Sequence, residues 1–173
     1  MKKKIVFSLA CMLLLAYGIK AQNNNQLSLQ LSLNQIELGY QHKLFAENIW
    51  GEAFAGIGNQ DINSRFDDFL VGIRLGFDAF SYKRNSIGID ASFEIYIPNN
   101  HYYTAVTPVI GAGIRYSLAF GKLNQHSLLI NAGYQYGKQD YKQEYTSELI
   151  NTSTISDFKI APLYFSLGYG FNF

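Results

Sequence analysis

Cysteine is all but missing from these 173 residues: the single one, Cys11, sits in an apolar amino-terminal run. Proline occurs three times, and charged side chains make up 16% of the chain, well below the roughly 25% usual in soluble domains. Each shortage excludes something. One thiol rules out a disulfide-stapled scaffold, so stability has to come from packing or from closure of a sheet. A balance of only +1 rules out a strongly basic nucleic-acid binder, and an apolar fraction of 48% with 16% aromatics rules out a disordered chain. The mean hydropathy of −0.04 excludes a helical membrane bundle. What remains is one domain that is aromatic-rich, or a membrane protein whose apolar residues are diluted by a regular polar partner.

The first segment stands apart from the fold. Lys2, Lys3 and Lys4 precede the apolar run from Ile5 to Ile19, and Ala21 supplies a small residue before Gln22, the order of a secretory signal peptide cleaved after Ala21. A run of about 15 apolar residues is too short for a spanning anchor, which needs ~20. Ser8-Leu9-Ala10 before Cys11 would suit lipidation, but Met12 to Leu15 carry the apolar run past that cysteine. The expected organisation is residues 1–21 as signal peptide and 22–173 as a single domain. Removing residues 1–21 takes away four lysines, the cysteine and both methionines, leaving 10 basic against 13 acidic residues, a net −3.

From Gln26 onward the chain alternates. Leu27, Leu29, Leu31 and Leu33 are separated by Ser28, Gln30 and Ser32, the period of two expected of a strand with one apolar and one polar face. The same pattern returns in Ile36–Leu44, Phe69–Phe77, Ile87–Ile97, Val106–Phe120, Leu128–Tyr136 and Leu163–Phe173, and more weakly in Ile49–Gly58, where Trp50, Glu52 and Phe54 share a face. Short turns at Ala46–Glu47, Ser81–Asn85 and Gly121–Gln125 alternate with longer polar loops at Asn59–Asp68, Asn99–Ala105 and Gln139–Asp157. Such asymmetry is typical of outer-membrane barrels, with tight periplasmic turns and longer external loops. A hairpin at Asn34-Gln35, pairing Leu33 with Ile36 and Leu31 with Leu38, brings the count to eight. The expected fold is all-β: an eight-stranded antiparallel up-and-down transmembrane β-barrel.

Charge fixes which face is which. An Arg or Lys at the bilayer midplane on the lipid face costs ~2–4 kcal/mol, so the face carrying Glu37, Glu52, Arg74, Asp78, Asp90, Glu94 and Arg115 has to point inward. Pairing across the Ser81–Asn85 turn sets Arg74 opposite Ser92 and diagonal to Asp90 and Glu94, which predicts an interior polar network rather than an ion path. The prolines Pro98, Pro108 and Pro162 fall toward the external strand ends, where a lost ladder bond is tolerable.

The run Ser166-Leu167-Gly168-Tyr169-Gly170-Phe171-Asn172-Phe173 resembles the carboxy-terminal assembly signal of bacterial outer-membrane barrels. The resemblance implies that Ser166, Gly168, Phe171 and Phe173 are read by the barrel-insertion machinery. Over residues 22–173 the chain is similar to the small OmpA/OmpX-type barrels, which implies residence in the bacterial outer membrane as a monomer, with outer-membrane lipid as a partner. A soluble lipocalin-like barrel would also alternate, with its apolar face inward.

Candidate chemistry is sparse. His101, beside Tyr102 and Tyr103, together with Asp140 and Ser147, could imitate the loop-borne catalytic sets of lipid A acyltransferases, but no spacing supports it. His126-Ser127 are adjacent and sit at a turn, whereas lipid A deacylases separate the two by one residue, so those roles do not carry over. His42 reads as an interfacial residue. Three scattered histidines give no metal cluster, and Gly111-Ala112-Gly113 lies within a strand without the helix of a phosphate loop. The expectation is a non-enzymatic envelope protein without cofactor, metal or nucleic-acid partner, with surface contacts made by its external loops, above all Gln139–Asp157. The alternatives are a lipid A-modifying enzyme and a narrow pore.

Overall fold

The computed structural model describes residues 24–44, 48–59, 68–99, 106–146 and 151–173. Ten strands are formed: β1 (Asn25–Ser32), β2 (Gln35–Lys43), β3 (Ile49–Gly58), β4 (Asp68–Tyr82), β5 (Asn85–Ile97), β6 (Thr107–Phe120), β7 (His126–Tyr136), β8 (Lys138–Thr146), β9 (Asn151–Lys159) and β10 (Leu163–Asn172). Eight of them close a barrel in the order β1-β10-β7-β6-β5-β4-β3-β2, every neighbouring pair antiparallel. The remaining two, β8 and β9, pair only with each other. The expected signal peptide, the turn residues 45–47, the loop residues 60–67 and 100–105, and His101, Tyr102, Tyr103 and Ser147 all lie outside the described residues.

Alternation becomes a two-sided wall. In β4, Ile73 is 56% exposed while its neighbour Arg74 is 5% exposed, and the same contrast separates Ile89 from Asp90 and Ile114 from Arg115. The described outward positions of the barrel strands hold mainly Leu, Ile, Val, Phe, Tyr and Ala, with His42, His126, Gly51, Pro108 and a few small polar residues, and none of them is Asp, Glu, Lys or Arg. A soluble monomer rarely exposes a contiguous apolar patch beyond a few hundred Å². Here the apolar surface encircles the molecule, so hydrocarbon and not water is the solvent that fits it. Closure leaves no unpaired edge in the barrel, as a bilayer demands of any sheet.

The barrel has two unlike ends. At the turn end lie Lys83-Arg84, the connection Gly121–Gln125 and the seam where Asn25 N donates to Phe173 O at 3.1 Å. Gly121 and Asn124 take positive φ angles of 87° and 56°, the left-handed conformation that tight turns require and that Gly and Asn adopt at least cost. At the loop end, the segment read as the polar loop Gln139–Asp157 is instead largely a ribbon. Its nine-residue strands β8 and β9 continue from β7 and return to β10.

The first hairpin corrects the expected register. The connection is Leu33-Asn34, and Leu31 pairs with Ile36, Leu29 with Leu38 and Leu27 with Tyr40. The shift is by two residues. Because side chains alternate with a period of two, every residue keeps its expected face, which is why periodicity alone could not distinguish the two registers.

Candidate functional site

The lumen is organised around one guanidinium. Arg74, on β4, donates from Nη1 to Glu52 Oε2 at 2.8 Å and from Nη2 to Glu37 Oε2 at 3.1 Å, with Asp90 Oδ1 3.8 Å from its Nε. Glu52 arrives directly across the β3–β4 ladder, and Asp90 comes from the diagonal position on β5. Arg115 adds a second cation: its Nη1 stands 3.7 Å from Glu52 Oε2 and its Nη2 donates to Gln26 Oε1 at 2.8 Å. Both guanidinium groups also lie over aromatic rings, Arg74 4.5 Å from the centre of Phe54 and Arg115 4.4 Å from that of Trp50.

Neutral side chains complete the set. Ser28 Oγ donates to Glu52 Oε1 at 2.7 Å and Gln30 Nε2 donates to the same oxygen at 3.3 Å, while Asn131 Nδ2 donates to Gln30 and to Ser166 Oγ. Charges buried this deeply persist only when paired and hydrogen-bonded, and a planar five-donor guanidinium is suited to holding several carboxylates at once. Glu52 and Asp90 side chains are 0% exposed, so no water-sized gap runs past them.

Toward the loop end the chemistry changes. Phe54, Leu70, Tyr96, Val109 and Ile160 form a buried apolar cluster across the lumen, with Ile160 arriving from the foot of the β8–β9 ribbon. Bulk in the lumen is matched by glycine. Phe54 pairs with Gly39 on one side and Gly72 on the other, and Trp50 pairs with Gly76. A Cβ on Gly72 would meet the Phe54 ring at 2.5 Å, and one on Gly76 would run into the Trp50 indole.

Toward the turn end the lumen opens into a cavity of about 210 Å³. Trp50 and Arg115 lie on its wall with Gln26, Lys43, Asp78 and Arg84, together with the hydroxyls of Ser81, Ser86, Ser117 and Ser127.

The seven lumen residues expected from sequence therefore separate. Glu37, Glu52, Arg74, Asp90 and Arg115 meet in one network. Glu94 stands off toward the loop end, where Gln35 Nε2 reaches both of its oxygens at 3.4 Å. Asp78 stands off at the turn end and accepts from Trp50 Nε1 at 3.2 Å. Of the terminal residues, Ser166 and Gly168 face the lumen, a Cβ on Gly168 meeting Gln30 at 2.9 Å, while Phe171 and Phe173 stack with ring centres 6.2 Å apart. Sequence reasoning overlooked Leu70, Tyr96, Val109, Gln30 and Asn131, and it named Ser166 only as part of the terminal run, not as a partner of Asn131 and Gln30. The signal for the large ones was present in other glycines: a Cβ on Gly58 would meet Tyr96 at 3.1 Å and Leu70 at 3.2 Å, and one on Gly137 would run into Val109.

His42 and His126 lie on the outer wall near the turn end, hydrogen-bonded to Asn25 and Tyr169 respectively. Among the described residues no group of three or more His, Cys, Asp or Glu is placed to hold a metal ion.

No protein-family model matches the chain, and no curated protein matches it. Among solved structures it is similar to a major outer membrane protein of Thermus thermophilus, with a TM-score of 0.50 and 10% identity over 86% of this chain and 99% of that one. The outer membrane protein AlkL, solved in lipid bilayers, aligns with a TM-score of 0.44 and 10% identity over 90% of this chain and 93% of that one. Closed eight-stranded topology, an uncharged outer wall and a charged lumen together give this chain the fold of the small outer-membrane β-barrels.

Proposed function

We propose that the chain is a non-enzymatic integral protein of the bacterial outer membrane, monomeric, that serves envelope integrity and makes surface contacts through its external connections. The observation that carries this reading is the lumen, which is filled by two successive layers of different chemistry. Arg74 and its carboxylates occupy the middle and the Phe54–Tyr96 cluster lies beyond them, where a conducting pore would need a continuous wet path. An eight-stranded barrel is only wide enough for its own side chains, and these are placed to interlock.

The turn end then faces the periplasm and the loop end the exterior, so the β8–β9 ribbon is the most prominent external feature. In this reading residues 1–21 are removed during export, and the final strand is the one presented to the insertion machinery.

Planar-bilayer recording of the purified chain tests the lumen: the expected trace has no discrete conductance, and stepwise openings would overturn the reading. A deletion strain tests the role. Raised sensitivity to detergent is expected, and unchanged sensitivity with unchanged surface binding would count against it. A residue-22 amino terminus on the membrane-inserted protein is the expected result of sequencing.

A further inference from the structure

The turn-end cavity is a region of the lumen that the described side chains leave unfilled, and its chemistry is opposite to that of the layer above it. The middle network is acid-rich, with Glu37, Glu52 and Asp90 around Arg74. Among the described residues the cavity wall instead presents Lys43, Arg84 and Arg115 against one carboxylate, Asp78, which is already engaged by the Trp50 indole. A fourth cation, Lys83, also borders it, with its ammonium leaning over Tyr82 at 5.2 Å. Between the cations stand Ser81, Ser86, Ser117 and Ser127, with Asn124 and Asn172.

Arg115 gives this wall its direction. It is 4% exposed and held flat against Trp50, with Nη2 donating to Gln26 and Nη1 making no hydrogen bond. Its charge is only partly compensated, by Glu52 at 3.7 Å. A buried guanidinium whose charge is incompletely matched, on the wall of a cavity where cations outnumber the one described carboxylate, favours an anion. The turn that carries Arg84 keeps a non-glycine, Lys83, at a φ of 55°, so this rim holds its cations in a conformation that glycine would adopt more easily.

We propose that this cavity is a binding site for a phosphate-type oxyanion presented from the periplasm. About 210 Å³ is room enough for a phosphate group with a few attached atoms or waters, and not for a large apolar ligand. Lys43 and Arg84 supply attraction at the mouth, the serines supply donors along the wall, and Arg115 supplies the inner charge. The phosphate could belong to a soluble phosphorylated solute or to a phospholipid headgroup reaching the mouth. The site is independent of the envelope role proposed above, since a filled lumen is compatible with a loaded or an empty vestibule.

Inorganic phosphate is the direct probe. The full chain, folded in a phosphate-free maltoside detergent, is titrated at low ionic strength while the backbone amides of Ser117 and Ser127 are followed by NMR. Saturable shifts at these amides are expected, and the double variant K43Q/R84Q is expected to weaken binding at least about fivefold, the effect of removing two partly screened charges. Neither residue belongs to the middle network, so the double variant keeps the fold, and K159Q at the opposite end is expected to leave binding unchanged. A second titration uses micelles doped with phosphatidylglycerol. Shifts caused by the lipid alone assign the headgroup as the source, and shifts caused by free phosphate assign a soluble one. No saturable shift in either titration, or equal binding by K43Q/R84Q, overturns the site.

Discussion

The outer wall and the lumen are two faces of the same eight strands, yet they satisfy opposite rules. On the wall, Ile73, Ile89 and Ile114 touch mainly solvent in the isolated molecule and are interchangeable with any apolar residue that hydrocarbon accepts. One residue away, Arg74, Asp90 and Arg115 each have particular partners at particular distances. The wall is therefore specified by a class of residue and the lumen by identity. Burial in lipid asks only that polarity be absent, whereas burial in a narrow lumen asks for particular partners in particular places.

Breaking the lumen should have the largest effect. R74A removes the cation shared by three carboxylates and leaves them buried without it, so a loss of about 3–5 kcal/mol is expected, read from urea unfolding in lipid vesicles. R74K keeps the charge but not the fork and should fall between wild type and R74A. On the wall, I73R places a charge in mid-membrane one residue away, with an expected loss of ~2–4 kcal/mol in the same assay. If I73R proves harmless, the outer face is not in hydrocarbon.

A pair of glycine substitutions compares the faces directly. G76A pushes a methyl group into the Trp50 indole and should cost about 1–3 kcal/mol. G51A, at the neighbouring ladder position on the outer face, meets only the ends of Leu75 and Leu44 at 3.5 Å or more, so its unfolding midpoint should move little. The smallest effect is expected of L38I, a like-for-like change on the wall, within about 0.5 kcal/mol.

How much of this was legible in the sequence follows from the same contrast. The wall and the strand count were readable because a period of two in apolar residues is a local signal, and the charged face could be assigned inward from Arg74, Asp90 and Glu94 alone. The partners were not readable. Glu37 reaches Arg74 from two strands away, a distance along the sheet that depends on barrel curvature. Ile160 reaches the apolar cluster only because a ribbon returns it there. That ribbon itself was hidden: Lys138 to Thr146 sets only Tyr141 and Tyr145 among charged, amide and hydroxyl residues, so it has no apolar alternation to detect. The two-residue slip at the first hairpin was silent for the opposite reason, since both registers preserve the rhythm equally.

The seam between β1 and β10 has a consequence in time. Gln26 pairs with Asn172, so the first barrel strand can find one of its two neighbours only after the last has been made. Ladder contacts across nearly the whole chain form slowly, because so much loop entropy has to be surrendered before they are rewarded. During that interval β1 offers a bare edge, and every strand offers an oily flank, to whatever surrounds the chain in transit. A chain built this way hides its edges only when complete, since nothing short of β10 gives the ring.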